Sequence, residues 1–272
     1  MSLIAGRSAG RRWALAATGL LMLVLVTVWI IAARQTSTTA SGTPTVDGSR
    51  PTSMTTQQPS DPGPLTSQQQ QDLAQSIKAM RAVAEVEPAT SAQYPAVRGQ
   101  ARQQPDLYAA AFAGELLTQD YRTNGRQELL AWVQSESAQS TDPLVVGLTP
   151  AGLRGQMVVA SVQDGVNGPA PVPSQSDWAR LAGLQGHTTA QILHVSEPVN
   201  WASAVANAAI TDPGVTARQV DAEVTLQTTD QGKTTLQRFS VSLVVNLEGP
   251  PVRNGYGFVA AIIYNVAVMG QQ

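Results

Sequence analysis

The stretch QVDAEVTLQTTDQGKTTLQRFSVSLVVNLEG, residues 219–249, decides the fold. Apolar residues occupy every second position of its first half: Val220, Ala222, Val224 and Leu226. They return at every second position of its second half: Phe239, Val241, Leu243, Val245 and Leu247. Such alternation predicts two strands, each with one buried and one wet face. Because Asp230, Gln231 and Gly232 form a turn between them, the pair is an antiparallel hairpin that ends at Gly249.

The polar positions of this hairpin are expected in water. They include Asp221 and Glu223 in the first strand and Arg238, Ser240, Ser242 and Asn246 in the second. Asp221 and Glu223 are two residues apart, as a paired acid and base are in some enzymes. Nothing near them in sequence would separate their pKa values, so we interpret them as part of a solvated strand face.

The run from Tyr256 to Met269 predicts a further strand that is apolar on both faces. One face carries Tyr256, Phe258, Ala260, Ile262, Tyr264, Val266 and Val268, and the other carries Val259, Ala261 and Ile263. The strand is either covered on both sides or has one face in an interface. Upstream, residues 157–163 and 191–195 are predicted strands, and residues 176–184 a short helix.

Three helices are predicted before these strands. The first starts at Thr66 or Ser67 with an apolar face of Leu73, Ile77, Met80 and Ala84. The second runs from Pro105 to about Tyr121 with a face of Leu107, Ala111, Leu116 and Leu117. The third runs from Gly125 to Ala138, is capped by Asn124 and carries Leu129, Leu130, Trp132 and Val133. Helices followed by antiparallel strands predict an α+β class, with the helices on one face of a curved sheet.

Composition limits the chemistry. The 272 residues include no cysteine and two histidines, His187 and His194, and 13% of the residues are charged. Disulfides, thiolate metal sites and cysteine nucleophiles are excluded. Residues 101–272 carry nine basic and 14 acidic side chains without a basic cluster, so direct nucleic-acid binding is not expected. No catalytic motif is present, so we predict a non-enzymatic protein without metal or cofactor.

The amino-terminal part predicts a membrane anchor. Residues 13–33 are 21 residues without a charge, enough to span a bilayer as a helix. Arg7, Arg11 and Arg12 precede the segment and Arg34 follows it, which places residues 1–12 in the cytoplasm. A cleaved signal peptide is the alternative. Residues 34–66 are rich in Ser, Thr and Pro and form a disordered tether, or alternatively a glycosylated stalk. An amphipathic helix and connector, 67–100, and an extracytoplasmic domain, 101–272, follow.

The segment DLYAAAFAGELLTQDYRTNGRQELLAWVQSES, residues 106–137, resembles a known family. It is similar to the opening helices of TcpC-like proteins, relatives of the eighth VirB component in conjugative type IV secretion systems of Gram-positive, chiefly actinobacterial, bacteria. The residues that carry the likeness are Tyr121, Arg122, Leu129, Leu130, Trp132 and Ser135–Ser137. The resemblance implies a soluble part with the cone-shaped fold of nuclear transport factor two. TcpC-like proteins typically carry two such cones, and the length here accommodates one.

The resemblance implies a scaffold in the cell membrane that self-associates and binds other subunits of a conjugative DNA-transfer channel. Candidate interface residues are Tyr121, Arg122, Trp132, Val259 and Ile263. One alternative is an accessory membrane protein of an actinobacterial lipid importer. Another is a small-ligand module with a cone cavity, for which Asp221, Tyr256 and Tyr264 are the candidates.

Overall fold

A computed structural model describes residues 66–83, 94–142, 146–147, 149–166, 168–207, 210 and 212–271. The helices are α1 (Ser67–Ala82), α2 (Pro105–Leu117), α3 (Arg126–Ser135), α4 (Arg154–Ala160), α5 (Gln175–Gly183) and α6 (Trp201–Ala206). Short 3-10 helices span Gly99–Gln103 and Ala151–Leu153. The strands are β1 (His187–Ser196), β2 (Val215–Asp230), β3 (Lys233–Glu248) and β4 (Gly257–Gln271). The predicted α+β class is confirmed.

The four strands form one antiparallel sheet in the order β1-β2-β3-β4. The predicted hairpin is confirmed, with Asp230 opposite Lys233. Gln231 and Gly232 have φ angles of 48° and 81°, so both adopt the left-handed conformation that matches the twist of a two-residue hairpin turn. Glycine adopts that conformation without a steric penalty. The predicted strand at residues 191–195 lies within β1.

The apolar face of the hairpin is buried as predicted, whereas its polar face is only partly wet. Val220, Ala222 and Leu243 have no exposed surface. Asn246 was expected in water, but that prediction is wrong, because the side chain is 4% exposed. Its cross-strand neighbours Ala217 and Ala260 are buried too, so this end of the sheet is covered on both faces.

Strand β4 exists where it was predicted, but its side chains do not alternate as expected. Leu247 is opposite Phe258, Val245 opposite Ala261 and Leu243 opposite Tyr264. The register shifts between these pairs, so β4 contains an additional residue at each bulge. Each bulge moves the following side chains to the other face. Phe258, Ala261 and Tyr264 therefore all face the same core. The prediction that Ala261 and Phe258 lie on different faces of the strand is wrong.

Helices α2 and α3 follow the predicted pattern with corrections at their ends. Helix α2 ends at Leu117, before the predicted Tyr121. Leu107 was assigned to its apolar face but is 41% exposed, since Tyr108 and Phe112 supply the buried side instead. Helix α3 is shorter than predicted at both ends.

The cap of α3 also differs from the prediction, which placed Asn124 there. Gly125 is the N-cap residue, and the carboxylate of Glu128 accepts a hydrogen bond from its backbone N–H at 3.3 Å. The α carbon of Gly125 lies so close to Glu128 that an added side chain would touch it. The predicted apolar residues of α3 are buried.

The predicted strand over residues 157–163 is wrong, because α4 occupies most of this range. Its residues Val158, Val159 and Ala160 form a continuous apolar run, and periodicity alone does not separate a buried strand from a buried helix in such a run. The predicted helix over residues 176–184 is confirmed as α5. The Ser174 hydroxyl caps it by accepting the N–H of Asp177 at 3.1 Å.

The main core lies between the helices and one face of the sheet. Phe112 of α2 stacks on Trp132 of α3 and on Phe258 of β4, with ring centroids 5.1 and 4.3 Å apart. Tyr94 and Val97 also belong to this core, so packing begins before residue 101. Met80 of α1 is buried, as its place on the apolar face predicted.

The predicted tail and transmembrane helix, and the predicted tether apart from Thr66, lie outside the described residues, as do Arg7, Arg11, Arg12 and Arg34. Within the described ranges, no helix has the length and hydropathy needed to cross a membrane.

Candidate functional site

The connector between α2 and α3 is held by the side chain of Gln119. Its amide oxygen accepts hydrogen bonds from the Tyr94 hydroxyl at 2.6 Å and from Asn124 at 3.1 Å. Its amide nitrogen donates to the carbonyl oxygen of Glu115 at 2.7 Å. The backbone N–H of Gln119 is also within hydrogen-bonding distance of the Thr188 hydroxyl in β1. This network ties the connector to the sheet edge.

Tyr121 and Arg122, two of the candidate interface residues, lie in this connector and differ in exposure. Tyr121 is 7% exposed and packs edge-on against Trp178, with ring centroids 4.8 Å apart. Arg122 is exposed and holds the carboxylate of Asp120 with its Nε and Nη2 atoms, at 2.8 and 2.6 Å. This pairing lowers the pKa of Asp120 to about 2. Of the two side chains, Arg122 is the one that a partner can reach.

Trp132 and Val259 were candidates for the interface, and both side chains are buried within this chain. Trp132 is 2% exposed, and its indole N–H donates to the carbonyl oxygen of Pro95 at 3.1 Å. Val259 is 1% exposed and packs in a separate cluster with Ala138 and Val215. Neither residue offers surface to a partner in this conformation. Ile263 is half-buried on β4, opposite Val244.

Glu136 lies at the centre of a buried polar network that no sequence motif indicated. Its carboxylate accepts hydrogen bonds from the Tyr108 hydroxyl at 2.9 Å, from the Val97 N–H at 3.1 Å and from Arg102 at 3.4 Å. Its backbone carbonyl accepts the N–H of Phe258 at 2.8 Å. The carboxylate is therefore occupied in joining α3 to the 94–103 segment. The sequence signal was its place in the family-like segment, between Ser135 and Ser137.

Asp221, Tyr256 and Tyr264, the candidates for a ligand site, are not brought together. Asp221 pairs with Ser242 on the polar face of the sheet, whereas Tyr264 pairs with Leu243 on the core face. Tyr256 precedes β4, and its N–H donates to the carbonyl oxygen of Arg102 at 2.8 Å. The three residues therefore do not form one site, and that prediction is wrong, because alternation places Asp221 and Tyr264 on opposite faces of the sheet.

The two histidines lie at different points of β1 and do not form a common site. His187 opens β1 and forms a bridge with Asp120, and its buried Nδ1 has no hydrogen-bond partner among the described residues. His194 is exposed further along β1. Across the described ranges, no group of three His, Asp or Glu side chains is arranged to hold a metal ion.

A cleft of about 570 Å³ opens between α5 and the core face of the sheet. Its floor consists of Val224, Leu226, Phe239, Val241, Tyr264 and Val266. Leu116, Tyr121 and Leu181 form part of its walls, and Asp164, Asp177 and Arg180 supply its charges. Asp164 lies in a loop after α4. The sequence did not indicate that this loop lies near the hairpin, although Asp164 and Gly165 form an Asp-Gly pair that is typical of a turn.

The outer edge of the sheet at β4 is the second surface of interest. The first part of this edge is covered, since Ala138 donates its N–H to the carbonyl oxygen of Phe258 and Ala261 donates its N–H to the hydroxyl of Ser161. Beyond Ala261, no described segment pairs with this edge. Val266, Val268 and Met269 are 47%, 70% and 59% exposed there. Strand β4 contains neither a charged residue nor a proline.

Comparison of the chain with protein-family models, with curated proteins and with solved structures yields no match.

Proposed function

We propose that the chain is a non-enzymatic, membrane-anchored scaffold subunit of a conjugative DNA-transfer channel, in which it acts by self-association and by binding other channel subunits. Two features of the sequence support the proposal. One is the resemblance of residues 106–137 to the TcpC-like family, and the other is the uncharged segment of residues 13–33 followed by a polar tether. The cone-shaped fold of nuclear transport factor two belongs to the same proposal.

The open edge of β4 is the observation that carries the self-association. An edge strand exposes unpaired backbone N–H and C=O groups, and proteins that remain monomeric protect such edges with charges, prolines or short strands. Strand β4 is 15 residues long and has neither a charge nor a proline. Its exposed Val268 and Met269 would lose part of their contact with water to the side chains of a second strand paired there. These properties favour pairing with another strand.

A second copy of this chain is the partner that the edge fits. Two β4 strands related by a two-fold axis would pair antiparallel and present the same residues to each other. Since the strand has no charged residue, such a pair brings no like charges together. The proposed contact therefore joins two four-stranded sheets along their β4 edges.

The charge balance supports a role without direct DNA contact. Residues 101–272 have an excess of acidic side chains, and DNA carries a dense negative charge. We therefore propose that this subunit organises the channel and that its partners bind the transferred strand.

A charge placed on the open edge tests the proposal. Val268→Lys in the full chain should shift the sedimentation coefficient to that of the monomer, because a lysine on an edge strand opposes pairing. The matched control is Leu193→Lys, since Leu193 is 59% exposed on β1 at the opposite edge of the sheet. Both variants should keep the circular dichroism spectrum of the unmodified chain. Retained assembly in Val268→Lys, or equal loss of assembly in both variants, would reject β4 as the contact.

A further inference from the structure

The cleft beside α5 has an apolar floor, and its lining has one more negative than positive side chain. Val224 and Val241 are 6% and 2% exposed, and Phe239 and Leu226 are half-buried. The volume of about 570 Å³ lies within the range of about 300–1,000 Å³ that small-molecule sites occupy. The cleft therefore has the size and the apolar surface to hold a small ligand.

The floor of the cleft runs along β3 from the hairpin turn towards the main core. Along β3, its floor runs from Gln237, near the hairpin turn, through Phe239 to Val241, and the next residue on that face is the core residue Leu243. Tyr264 lies opposite Leu243, at the inner end of the floor. Burial is the main cause that raises the pKa of Tyr264, and Tyr121 and Asp164 add to the effect. A neutral phenol thus lies at the inner end of an apolar trough, and the carboxylate of Asp164 is close enough to act on it electrostatically.

The charges of the lining disfavour anionic ligands. Arg180 is the lining cation, and its Nη2 atom is paired with Asp177 at 3.2 Å. Asp164 is half-buried, and its carboxylate takes part in none of the ion pairs or side-chain hydrogen bonds among the described residues. The lining therefore carries a negative charge beside an apolar floor. An anionic head group would be repelled there, whereas a cationic one would gain a partner.

We propose that this cleft binds a small amphiphilic amine, with its apolar body on the floor formed by Leu226, Phe239 and Val241 and its ammonium group at Asp164. The inference goes beyond the proposed scaffold function and uses other groups: the ligand would contact Asp164, Leu226, Phe239 and Val241, whereas the proposed contact between copies uses the backbone of the β4 edge. Val266 borders both surfaces. An amine bound in this way is held by shape, by burial of apolar surface and by one ion pair. The site is distinct from the predicted group of Asp221, Tyr256 and Tyr264, because it uses Asp164 in place of Asp221.

The five tyrosines provide a site-specific readout. We would incorporate 3-fluorotyrosine into the full chain and record ¹⁹F NMR spectra, with Tyr264→Phe and Tyr121→Phe variants to assign the signals of the two tyrosines that line the cleft. The probes are 4-phenylbutylamine, 4-phenylbutanol and 4-phenylbutyrate, which share one apolar body and differ in head group. Tyr94, Tyr108 and Tyr256 do not line the cleft and serve as internal controls.

The Tyr264 signal should shift saturably with the amine, at a concentration at least about threefold lower than with the alcohol, and the carboxylate should produce the weakest effect. Asp164→Asn should abolish the advantage of the amine over the alcohol and leave the alcohol unchanged. Because the Asp164 side chain has no partner in the described chain, this variant is expected to fold normally. Equal binding of all three probes, or shifts only at the control tyrosines, would overturn the proposal.

Discussion

The hydroxyl of Tyr108 in α2 donates a hydrogen bond to the buried carboxylate of Glu136, at 2.9 Å. Glu136 follows the last residue of α3, so this contact joins the two helices of the family-like segment across the core. Arg102 shares the same carboxylate from the solvent side at 3.4 Å. Burial and the adjacent Glu136 raise the pKa of Tyr108, which keeps its hydroxyl a donor at every pH near neutrality.

Tyr108→Phe should lower the free energy of unfolding by about 1.5–3 kcal/mol, because it removes a buried hydrogen bond to a charged group. Chemical denaturation of the full chain measures the change. Tyr256→Phe is the matched control, since no described residue is hydrogen-bonded to its hydroxyl, and its effect should stay within about 0.5 kcal/mol. Equal effects in the two variants would show that the Glu136 contact contributes nothing.

Asp120 and Arg122 predict a pH dependence. The pairing lowers the pKa of Asp120 from 3.8 to about 2, so the folded chain favours the charged carboxylate. The resulting stabilisation is present above pH 3.8 and is lost as the pH falls towards 2. Urea unfolding of the unmodified chain and of Asp120→Asn should therefore differ most at neutral pH and converge near pH 2. A difference that stays constant over this range would contradict the pairing.

The bulges of β4 predict where the strand tolerates added volume. Ala261 is 5% exposed and belongs to the main core, so Ala261→Leu should destabilise the chain by about 1–3 kcal/mol through overpacking. Ala267 lies on the same strand and is exposed, and Ala267→Leu should change the stability by no more than about 0.5 kcal/mol. Thermal unfolding compares the two. A tolerated leucine at position 261 would contradict the placement of the Ala261 side chain in the main core.

Gly249 makes a close approach that other residues cannot make. A side chain added there would overlap the ring of Tyr256, whereas one added at Gly152 would meet nothing within 4 Å. Gly249→Ala should therefore cost about 1–3 kcal/mol of folding free energy, and Gly152→Ala should be near neutral. Denaturation midpoints of the two variants test the difference. If Gly249→Ala matched Gly152→Ala, the Tyr256 ring would not occupy the position described.

The hairpin could be predicted because its signals are local. Alternation from Val220 to Leu226, a Gln-Gly turn and a second alternating run each specify the same arrangement within one continuous stretch. Helix α5 was also predictable, since Ser174 and Asp177 form a cap within four residues. Such elements depend little on distant parts of the chain.

Features that depend on distant segments were missed. The bulges of β4 place Phe258 and Ala261 against helices that lie far earlier in the chain. The residues of β4 alone are equally compatible with a regular strand. The apolar run of α4 has the composition of a strand, and its helical state follows from packing on α3 and β4. The cleft joins Asp164 with Phe239 and Tyr264, so it exists only once the sheet and α5 are assembled.

Site-specific photocrosslinking in the native membrane tests the scaffold account most directly. A photoreactive amino acid would replace Met269 on the exposed part of β4, with Leu193 on β1 replaced in a parallel control, and captured proteins would be identified by mass spectrometry. The account predicts crosslinks from position 269 to β4 of a second copy, together with recovery of a coupling ATPase and other conjugative channel subunits. Recovery of lipid-import subunits, or of the uncrosslinked chain alone, would contradict it.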